Sequence, residues 1–332
     1  MNIAPPTIAD IEEAASRLAG LAVHTPLLEC PAADAACGGK VLIKAEMLQR
    51  TGSFKFRGAY NCISRLPTAE REKGVVAFSS GNHAQAVAAV SSLFGIAATI
   101  VMPADAPSIK IDATRDYGAQ VVLYDRFTES REDIAATLVE NQGLTLIPPF
   151  DHPLIIAGQG TVGLEIAEEM AARGQTPDQT LVPCGGGGLI SGIATAVTSK
   201  FPDSAVHAVE PKGFDDTGRS LVSGNRESAD RDARSICDAL LVPTPGELTF
   251  PINQRLLAGG VSVSDDQVRH AMAFAFRHLK LVAEPGGAIA LAAVLGGMVN
   301  CESKTTIVVM SGGNVDPAMF ADVIGQPLYA DD

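Results

Sequence analysis

Short apolar runs rich in β-branched residues alternate along the chain with longer stretches of helical periodicity, and each run ends in small or polar residues. This alternation is typical of parallel strands that are joined by helices in βαβ units. The pattern predicts strands at residues 41–44, 75–79, 99–102, 121–124, 145–147, 181–183, 206–209 and 306–310. It predicts helices at residues 7–18, 58–66, 83–94, 108–117, 130–142, 160–172, 189–201, 265–279 and 286–297.

These elements predict an α/β fold with open, twisted, mostly parallel sheets and flanking helices. No linker rich in Pro, Gly or Ser divides the chain cleanly, but residues 74–150 hold three strand-helix units that could form a compact lobe. We therefore predict a small domain at residues 74–150, and a large domain made of residues 1–73 and 151–332.

Composition and charge narrow the class of protein. The chain has 332 residues, of which 46% are hydrophobic and 19% charged, a globular composition. Its formal net charge of −13 predicts repulsion from nucleic acid and from anionic lipid. The longest uncharged run, residues 84–104, is interrupted by polar residues, Gly and Pro, so we predict a buried helix, a turn and a strand there instead of a membrane span.

Cysteine usage and the N-terminus indicate the compartment. The six cysteines are scattered, with no C-x-x-C pair and no histidine at the spacing of a metal site. The N-terminal residues have neither the basic nor the apolar segment of a signal peptide. We therefore expect buried free thiols in a cytoplasmic protein whose mature chain starts at Met1.

Two polar clusters lie near predicted helix starts. Lys55 stands between Phe54 and Phe56, and a lysine in such an apolar setting is more often neutral and able to form a Schiff base with an aldehyde. The alternative is a solvated lysine that packs beside two core aromatics. The second cluster, residues 79–83, offers hydroxyl, amide and imidazole groups after a strand, or else an ordinary N-cap from Ser80 or Asn82.

Two further clusters follow predicted strands. Four glycines, Gly185, Gly186, Gly187 and Gly188, leave backbone N–H groups open to a phosphate before a helix, and the alternative is a flexible loop. Their spacing fits neither the dinucleotide nor the P-loop pattern. Ser311 stands at the end of the last predicted strand, where an ordinary turn is the alternative. Together, a reactive lysine, a phosphate cradle and neutral hydrogen-bonding groups are what a pyridoxal phosphate site requires.

Five strings resemble those of the fold-type II pyridoxal phosphate enzymes, specifically the serine/threonine dehydratase and serine racemase group. They are SFKFRGA at 53–59, SSGNH at 79–83, AGQGT at 157–161, GGGG at 185–188 and SGGN at 311–314. The resemblance implies a two-lobed fold like that of the tryptophan synthase β subunit. It also implies residue roles: Lys55 holds the internal aldimine and acts as base, Phe54 packs on the cofactor ring, Asn82 bonds the ring hydroxyl, Gly185 to Gly188 bind the phosphate, and Ser311 faces the ring nitrogen.

The resemblance further implies a substrate site formed by Ser79, Ser80, Asn82, His83 and Arg131. Ser80 would act on the face of the α-carbon opposite Lys55, as in the racemases of the group. For Arg131, an exposed arginine on a helix surface is the alternative. Where the family commonly has Ala-Asp-Gly, residues 237–239 read Cys-Asp-Ala, which changes the pocket beside the cofactor.

The activity implied is the dehydration and deamination of L-threonine or L-serine to a 2-oxo acid and ammonia. The alternatives are a 3-hydroxyaspartate dehydratase, a serine racemase, or a non-catalytic amino-acid-binding relative. Residues 150–151, ahead of the string at 157–160, look more like the threonine dehydratases. We expect a homodimer that acts on a small amino acid, and no isoleucine feedback, because the chain ends soon after the last motif.

The segment EPKGFDD at 210–216 resembles the divalent-cation loop of the family. The carboxylates of Glu210 and Asp216, with the backbone carbonyl of Phe214, would suit Mg²⁺, Ca²⁺ or Mn²⁺. The alternative is a solvated acidic loop.

Overall fold

The computed structural model describes residues 4–79, 81–106 and 108–326, without the side chain of Ile109. Within them the strands are β1 (Leu27–Glu29), β2 (Lys40–Ala45), β3 (Val75–Phe78), β4 (Ala98–Pro103), β5 (Gln120–Tyr124), β6 (Thr145–Leu146), β7 (Gln179–Pro183), β8 (Ala205–Pro211), β9 (Gly259–Val263) and β10 (Thr305–Met310).

The α-helices in the same residues are α1 (Ile8–Leu18), α2 (Pro31–Cys37), α3 (Lys55–Ile63), α4 (Thr68–Lys73), α5 (Asn82–Phe94), α6 (Ser108–Asp116), α7 (Arg131–Gln142), α8 (Pro153–Ala172), α9 (Gly188–Lys200), α10 (Asp216–Ser223), α11 (Thr249–Leu256), α12 (Asp265–Phe274), α13 (Pro285–Leu295) and α14 (Pro317–Gly325). A π-helical turn, Ala275–Leu279, extends α12, and short 3₁₀ turns lie at Glu46–Leu48, Arg50–Gly52 and Asp238–Leu240.

The strands form two sheets. The larger has the order β1-β2-β10-β7-β8-β9, in which only β1 runs antiparallel to its neighbour. The smaller has the order β5-β4-β3-β6, and all of its strands are parallel. The prediction of an α/β fold with mostly parallel sheets and flanking helices is therefore confirmed.

We call β3 to β6 with α5, α6 and α7 the small lobe, and the other elements the large lobe. The small sheet is drawn from residues 75–146, and the large sheet from residues 27–45 and 179–310. The domain boundaries at residues 74 and 150 stay a prediction. Among the described residues, no helix has the length and the apolar character needed to cross a membrane.

The structure adds elements that the sequence pattern does not predict. The two added strands, β1 and β9, lie at the edges of the large sheet. The first has only three residues, and the second begins with two glycines, so neither has the apolar run of a central strand. The added helices α2, α4, α10, α11 and α14 have nine residues or fewer, too few for a clear helical period. Helix α3 starts at Lys55, three residues before its predicted start.

The large lobe is held together by central strands that are buried on both faces and by helices in close contact. In β10, Ile307, Val308 and Val309 are fully buried, as parallel strands covered by helices on both sides require. Helices α8 and α9 approach so closely that a Cβ atom on Gly192 would lie 2.5 Å from the backbone nitrogen of Gly160. Glycine is therefore required at this crossing.

Candidate active site

A cavity lies between the two lobes, where three strands reach their carboxyl ends. Ser79 follows β3, Gly185 follows β7 after one residue, and Ser311 follows β10, and all three line the cavity. Ligands of open α/β sheets bind at such strand ends. The structure thus brings the four clusters together around one space, although they are up to about 250 residues apart in the sequence.

Lys55, the first residue of α3, lies half-buried in the cavity wall and is not a solvated lysine. Its Nζ donates a hydrogen bond to the backbone oxygen of Pro149 at 2.7 Å and lies 5.2 Å from the centre of the Phe54 ring. Burial lowers the pKa of Lys55 to about 8, against the opposing charge of Glu284. The amine is therefore neutral more often than that of an exposed lysine.

A buried charge network fixes the helix that carries Lys55. The Arg57 guanidinium donates to the Glu46 carboxylate with two bonds of 2.8 Å and to Glu165 with bonds of 2.6 and 3.0 Å. Lys44 pairs with Glu165 as well, and Thr25 donates to Glu46. Burial alone would raise the pKa of Glu46, but the charge and hydrogen bonds of Arg57, the Lys44 charge and the Thr25 hydrogen bond together outweigh burial and lower it. Two cations and two anions thus compensate one another where water is excluded.

The glycine loop has a shape that only glycine permits. Gly187 has φ of +91°, and a Cβ atom there would lie 2.7 Å from Asn253 Nδ2 and 2.9 Å from Thr249 Oγ1. At Gly186, a Cβ atom would lie 2.4 Å from the ring of Phe150. Thr249 Oγ1 also donates to the Gly186 carbonyl at 2.7 Å, so the loop is braced and is not a free flexible turn. The first N–H groups of α9, which starts at Gly188, have no acceptor within the helix and remain available to an anion.

Asn82 is held at both ends of its side chain by residues of the large lobe. Its Nδ2 donates to Glu284 Oε1 at 2.5 Å, and its Oδ1 accepts from Asn314 Nδ2 at 2.8 Å. An amide has two N–H groups, so one remains for a ligand. Asn82 is the first residue of α5 and its N-cap is Gly81, so the alternative of Asn82 as a simple N-cap is wrong.

Glu284 is a site residue that the sequence analysis missed. It is buried in the cavity wall, at the N-cap of α13. Burial raises its pKa to about 7, with a further rise from Asp238, while the Asn82 bond and the charges of Lys110 and Lys55 act against burial. An acidic residue just before Pro-Gly-Gly at a helix start could have indicated that Glu284 is an N-cap. Its place in the site could not be found in this way, because its partner Asn82 is 202 residues away in the sequence.

The small-lobe wall contains the predicted substrate residues. Ser79 Oγ accepts from the backbone N–H of Gly81, and buried His83 Nε2 bonds the Ile147 carbonyl at 2.9 Å. Burial and the charge of Lys55 lower the pKa of His83 to about 3, so its ring is neutral and Nε2 carries the proton. Arg131, nearly half exposed, lines the cavity with its guanidinium over the Phe78 ring. Ser80, the predicted opposite-face residue, lies outside the described residues.

A second missed feature is an ion pair that joins the lobes across the cavity. Lys110 Nζ, from α6, lies 2.5 Å from Asp238 Oδ2, in the 3₁₀ turn of the large lobe, and both residues line the cavity. Next to Asp238, Ala239 also lines the cavity.

The predicted cation loop lies outside this cavity, and the two carboxylates predicted as its ligands are not solvated. Glu210 and Asp216 are 1% and 2% exposed. The Glu210 carboxylate accepts from the N–H groups of Thr217 and Gly218, whereas Asp216 Oδ2 is buried and has no hydrogen-bond partner among the residues that the structure describes. Burial and the Asp216 charge raise the pKa of Glu210 to about 8. Burial raises the pKa of Asp216 to about 7. In the described part of the chain, no three His, Cys, Asp or Glu side chains form a cluster that could hold a metal ion.

A family model described as "Pyridoxal-phosphate dependent enzyme" matches residues 19–313. The chain belongs to this family. Among its relatives, L-threo-3-hydroxyaspartate ammonia-lyase of Pseudomonas sp is 44% identical over 95% of this chain and 97% of its own. The catabolic L-threonine dehydratase of Escherichia coli is 40% identical over 97% of both chains.

Solved structures of the family have the same fold. A threonine deaminase from tomato, Solanum lycopersicum, superposes with a TM-score of 0.87 and 35% identity, covering 96% of this chain and 91% of its own. Maize serine racemase superposes with a TM-score of 0.90 and 37% identity, covering 96% of this chain and 97% of its own. The resemblance stated from the sequence is therefore confirmed, and the chain is a pyridoxal-phosphate dependent enzyme.

The described residues fit this cofactor. The glycine loop at the start of α9 leaves a space that a single Cβ atom would fill, and the backbone N–H groups around this space suit a phosphate. An amine with a lowered pKa, Lys55, lines the same cavity, and the polar side chains of Asn82 and Ser311 line it as well. These are the three kinds of partner that the phosphate, the aldehyde and the polar ring positions of the cofactor need.

Proposed function

We propose that this enzyme is an ammonia-lyase that dehydrates L-β-hydroxy-amino acids, L-threonine and L-serine among them, to 2-oxo acids and ammonia. The observation that carries the proposal is the joint placement of Lys55 and the glycine loop in one cavity. The names of the relatives, which include ammonia-lyases and a threonine dehydratase, support it.

In this proposal the large lobe, together with Asn82 of the small lobe, holds the cofactor. Gly185 to Gly188 and the first turn of α9 bind the phosphate, and the free N–H of Asn82 bonds the ring hydroxyl. Phe54, whose backbone N–H donates to the Ser311 carbonyl, packs against the ring, and the Ser311 hydroxyl faces the ring nitrogen. A neutral hydroxyl there leaves the nitrogen without the charge that a carboxylate would stabilise, which favours elimination over transamination.

Pyridoxal phosphate, when bound, supplies an aldehyde for the substrate amine and an electron sink for charge at the α-carbon. The Lys55 amine, once displaced by substrate, takes the α-proton as general base, for which its lowered pKa suits it. The electron pair of the broken C–H bond forms the α,β double bond as the β C–O bond breaks, and the leaving hydroxyl takes the α-proton from the Lys55 ammonium and departs as water, which returns Lys55 to its neutral amine. The enamine then hydrolyses to the 2-oxo acid and ammonia.

The substrate carboxylate is held, in this proposal, by the start of α5, at Ser79, Asn82 and His83, and by the Arg131 guanidinium. The one N–H of the neutral His83 ring is already donated to the Ile147 carbonyl, so the carboxylate is held by the backbone N–H groups of the first turn of α5, which have no acceptor within the helix. Ser80 stays a prediction as the group on the opposite face of the α-carbon. No observation among the described residues favours racemisation over elimination.

The test is borohydride reduction of the purified yellow protein, followed by peptide mass mapping. We expect the colour to be lost and the cofactor mass to appear on Lys55. Lys55→Ala should lower 2-oxo acid formation by more than about 1000-fold while circular dichroism stays unchanged, because aldehyde partner and base are lost together.

The control for this test is Lys73→Ala, which removes an exposed lysine that does not line the cavity and should not change turnover. Covalent cofactor on a different lysine would contradict the assignment. A protein that folds but never takes up the cofactor would support the non-catalytic alternative.

We further propose a divalent cation, Mg²⁺, Ca²⁺ or Mn²⁺, at Glu210 and Asp216, with the Phe214 carbonyl as a third ligand. The support is Asp216 Oδ2, a buried carboxylate oxygen that has no hydrogen-bond partner in the described part of the chain and that an ion would satisfy. Binding to the native state alone raises Tm as the free cation exceeds its Kd. We expect EDTA to lower Tm and Mg²⁺ to restore it, and Asp216→Asn to abolish the response. An identical Tm with and without EDTA would contradict the site.

We also propose a cytoplasmic homodimer. All six cysteines are free thiols, which fits a reducing compartment. Sedimentation of the purified holoenzyme would give its oligomeric state.

A further inference from the structure

We propose that Lys110 is a binding residue for a second, distal carboxylate on the substrate, so that acidic β-hydroxy-amino acids such as L-threo-3-hydroxyaspartate are the preferred substrate class. This inference rests on the ammonia-lyase activity proposed above. It concerns an ion pair in the cavity wall that the elimination chemistry does not use.

The Lys110–Asp238 pair is asymmetric. The side chain of Lys110 is 10% exposed, whereas that of Asp238 is 46% exposed. A buried ammonium group requires an anion beside it, because an unpaired buried charge costs several kcal/mol. The exposed carboxylate needs no such partner, because water solvates it at little cost. Among the described residues, the Asp238 carboxylate has Lys110 as its one hydrogen-bond partner.

Lys110 lies beside the position proposed for the substrate. A Cβ atom built on Gly81, which lies between Ser79 and Asn82, would be 3.8 Å from Lys110 Nζ. The charges of Lys110 and Lys55 both act on the buried carboxyl of Glu284. The Lys110 ammonium therefore stands within the polar cluster around Lys55, on the small-lobe side.

This geometry permits an exchange of carboxylates. A dicarboxylic substrate can place its distal carboxylate on Lys110, while Asp238 turns to solvent, so the buried ammonium is never left unpaired. Arg131 supplies a second cation in the same wall, and it forms an ion pair with its exposed neighbour Glu132. Serine and threonine have no second carboxylate and leave the Lys110–Asp238 pair as it is, so they gain nothing from Lys110.

The experiment compares kcat/KM for L-threo-3-hydroxyaspartate, L-serine and L-threonine in the holoenzyme and its variants. We expect the wild type to prefer the acidic substrate. Lys110→Met should lower kcat/KM for that substrate by about 30-fold or more and for L-serine by a much smaller factor. Lys110→Arg should recover most of the loss, and Lys73→Met, at an exposed lysine outside the cavity, should change neither.

Asp238→Asn provides the opposite test. It removes the competing carboxylate, so we expect the KM for the acidic substrate to fall severalfold. A binding readout without turnover is the inhibition constant of L-aspartate relative to L-alanine. That ratio should favour L-aspartate in the wild type and lose its preference in Lys110→Met.

Equal losses for all three substrates in Lys110→Met would show that the pair only joins the lobes, and would overturn the proposal. A wild type that prefers L-serine would overturn it as well, and so would an Asp238→Asn variant that loses the acidic substrate as Lys110→Met does. If no substrate yields a 2-oxo acid but L-aspartate still binds through Lys110, the ammonia-lyase function fails and the carboxylate site stands.

Discussion

The two walls of the cavity present different kinds of chemical group. Beside the side chains of Lys55, Glu284 and Ser311, the large-lobe wall presents a surface of backbone groups at Gly185 to Gly188, which Thr249 and Phe150 hold in one shape. We call this surface the backbone wall. The small-lobe wall presents side chains, those of His83, Lys110 and Arg131, on three different helices. A backbone surface cannot be altered by changing a residue without distorting the chain, whereas a side-chain surface changes with every substitution.

The difference suggests how one scaffold can keep a cofactor and change its substrate. In our proposal the phosphate is bound by backbone N–H groups, which only a substitution by proline removes, and the polar side chains opposite select the amino acid. The seam between the walls is the chain of hydrogen bonds from Asn314 through Asn82 to Glu284, which joins the start of α5 to the large lobe. Substitutions in the two walls and at the seam should therefore have different consequences.

The largest effect is expected in the backbone wall, for Gly187→Ala. The new Cβ atom would lie 2.7 Å from Asn253 Nδ2 on a residue whose φ is +91°, so the loop must move. We expect the affinity for pyridoxal phosphate to fall by about 100-fold, which corresponds to about 2.7 kcal/mol. Fluorescence titration of the apoenzyme with the cofactor measures it.

Gly174→Ala is the matched control, because Gly174 also has a positive φ, of +65°, but no atom lies within 4 Å of the position of its Cβ. It should reduce stability by about 1 kcal/mol through backbone strain alone and leave cofactor affinity as it is. Equal losses of cofactor affinity in both variants would mean that strain, and not the shape of the cradle, explains the effect.

The backbone wall is also the part that sequence predicts best. A run of four glycines after an apolar strand, and a lysine between two phenylalanines, are local patterns whose chemistry does not depend on distant residues. The order of the central strands and the longer helices followed from the same kind of local signal. The edge strands β1 and β9 and five short helices were missed, because they are too short or have no apolar run.

His83 and Arg131 were predicted through the family resemblance, but the long-range pairs of the site could not be predicted from local patterns. Lys110 in the sequence is one lysine in a polar helix, which ordinarily means a solvated face, and its partner Asp238 is 128 residues further along the chain. Glu284 is similarly distant from Asn82. Such pairs form only when the two lobes pack together, and no local pattern in a single sequence indicates that packing.

At the seam we expect a pH effect in Glu284→Gln. The pKa of Glu284 is raised to about 7 in the folded protein, so the native state holds this proton more tightly than the unfolded chain does between about pH 4.5 and 7. Its contribution to stability is present at low pH and is lost as the pH rises through 7. Glutamine can still accept from Asn82 but does not titrate.

Urea unfolding at pH 5, 6, 7 and 8 measures this effect. Relative to Glu284→Gln, the wild type should lose on the order of 1 to 3 kcal/mol of unfolding free energy over this range. The exposed Glu302→Gln should keep the wild-type slope. Parallel curves for wild type and Glu284→Gln would mean that the carboxyl keeps one protonation state throughout.

The smallest effect is expected in the side-chain wall, for Arg131→Ala. The guanidinium is 45% exposed and lies 5.2 Å from the centre of the Phe78 ring, a contact worth about 0.5 to 1 kcal/mol at such a site. Water screens its charge, so we expect a three- to tenfold rise in KM for the amino acid with kcat nearly constant, and little change in Tm.

Arg126→Ala is the matched control, since Arg126 is 46% exposed, also belongs to the small-lobe segment, and pairs with Asp105 outside the cavity. It should leave KM as it is. If both variants raise KM equally, Arg131 acts only through the general charge of the small lobe. If Arg131→Ala lowers kcat and leaves KM unchanged, the side chain acts during the reaction itself and the wall does more than select the substrate.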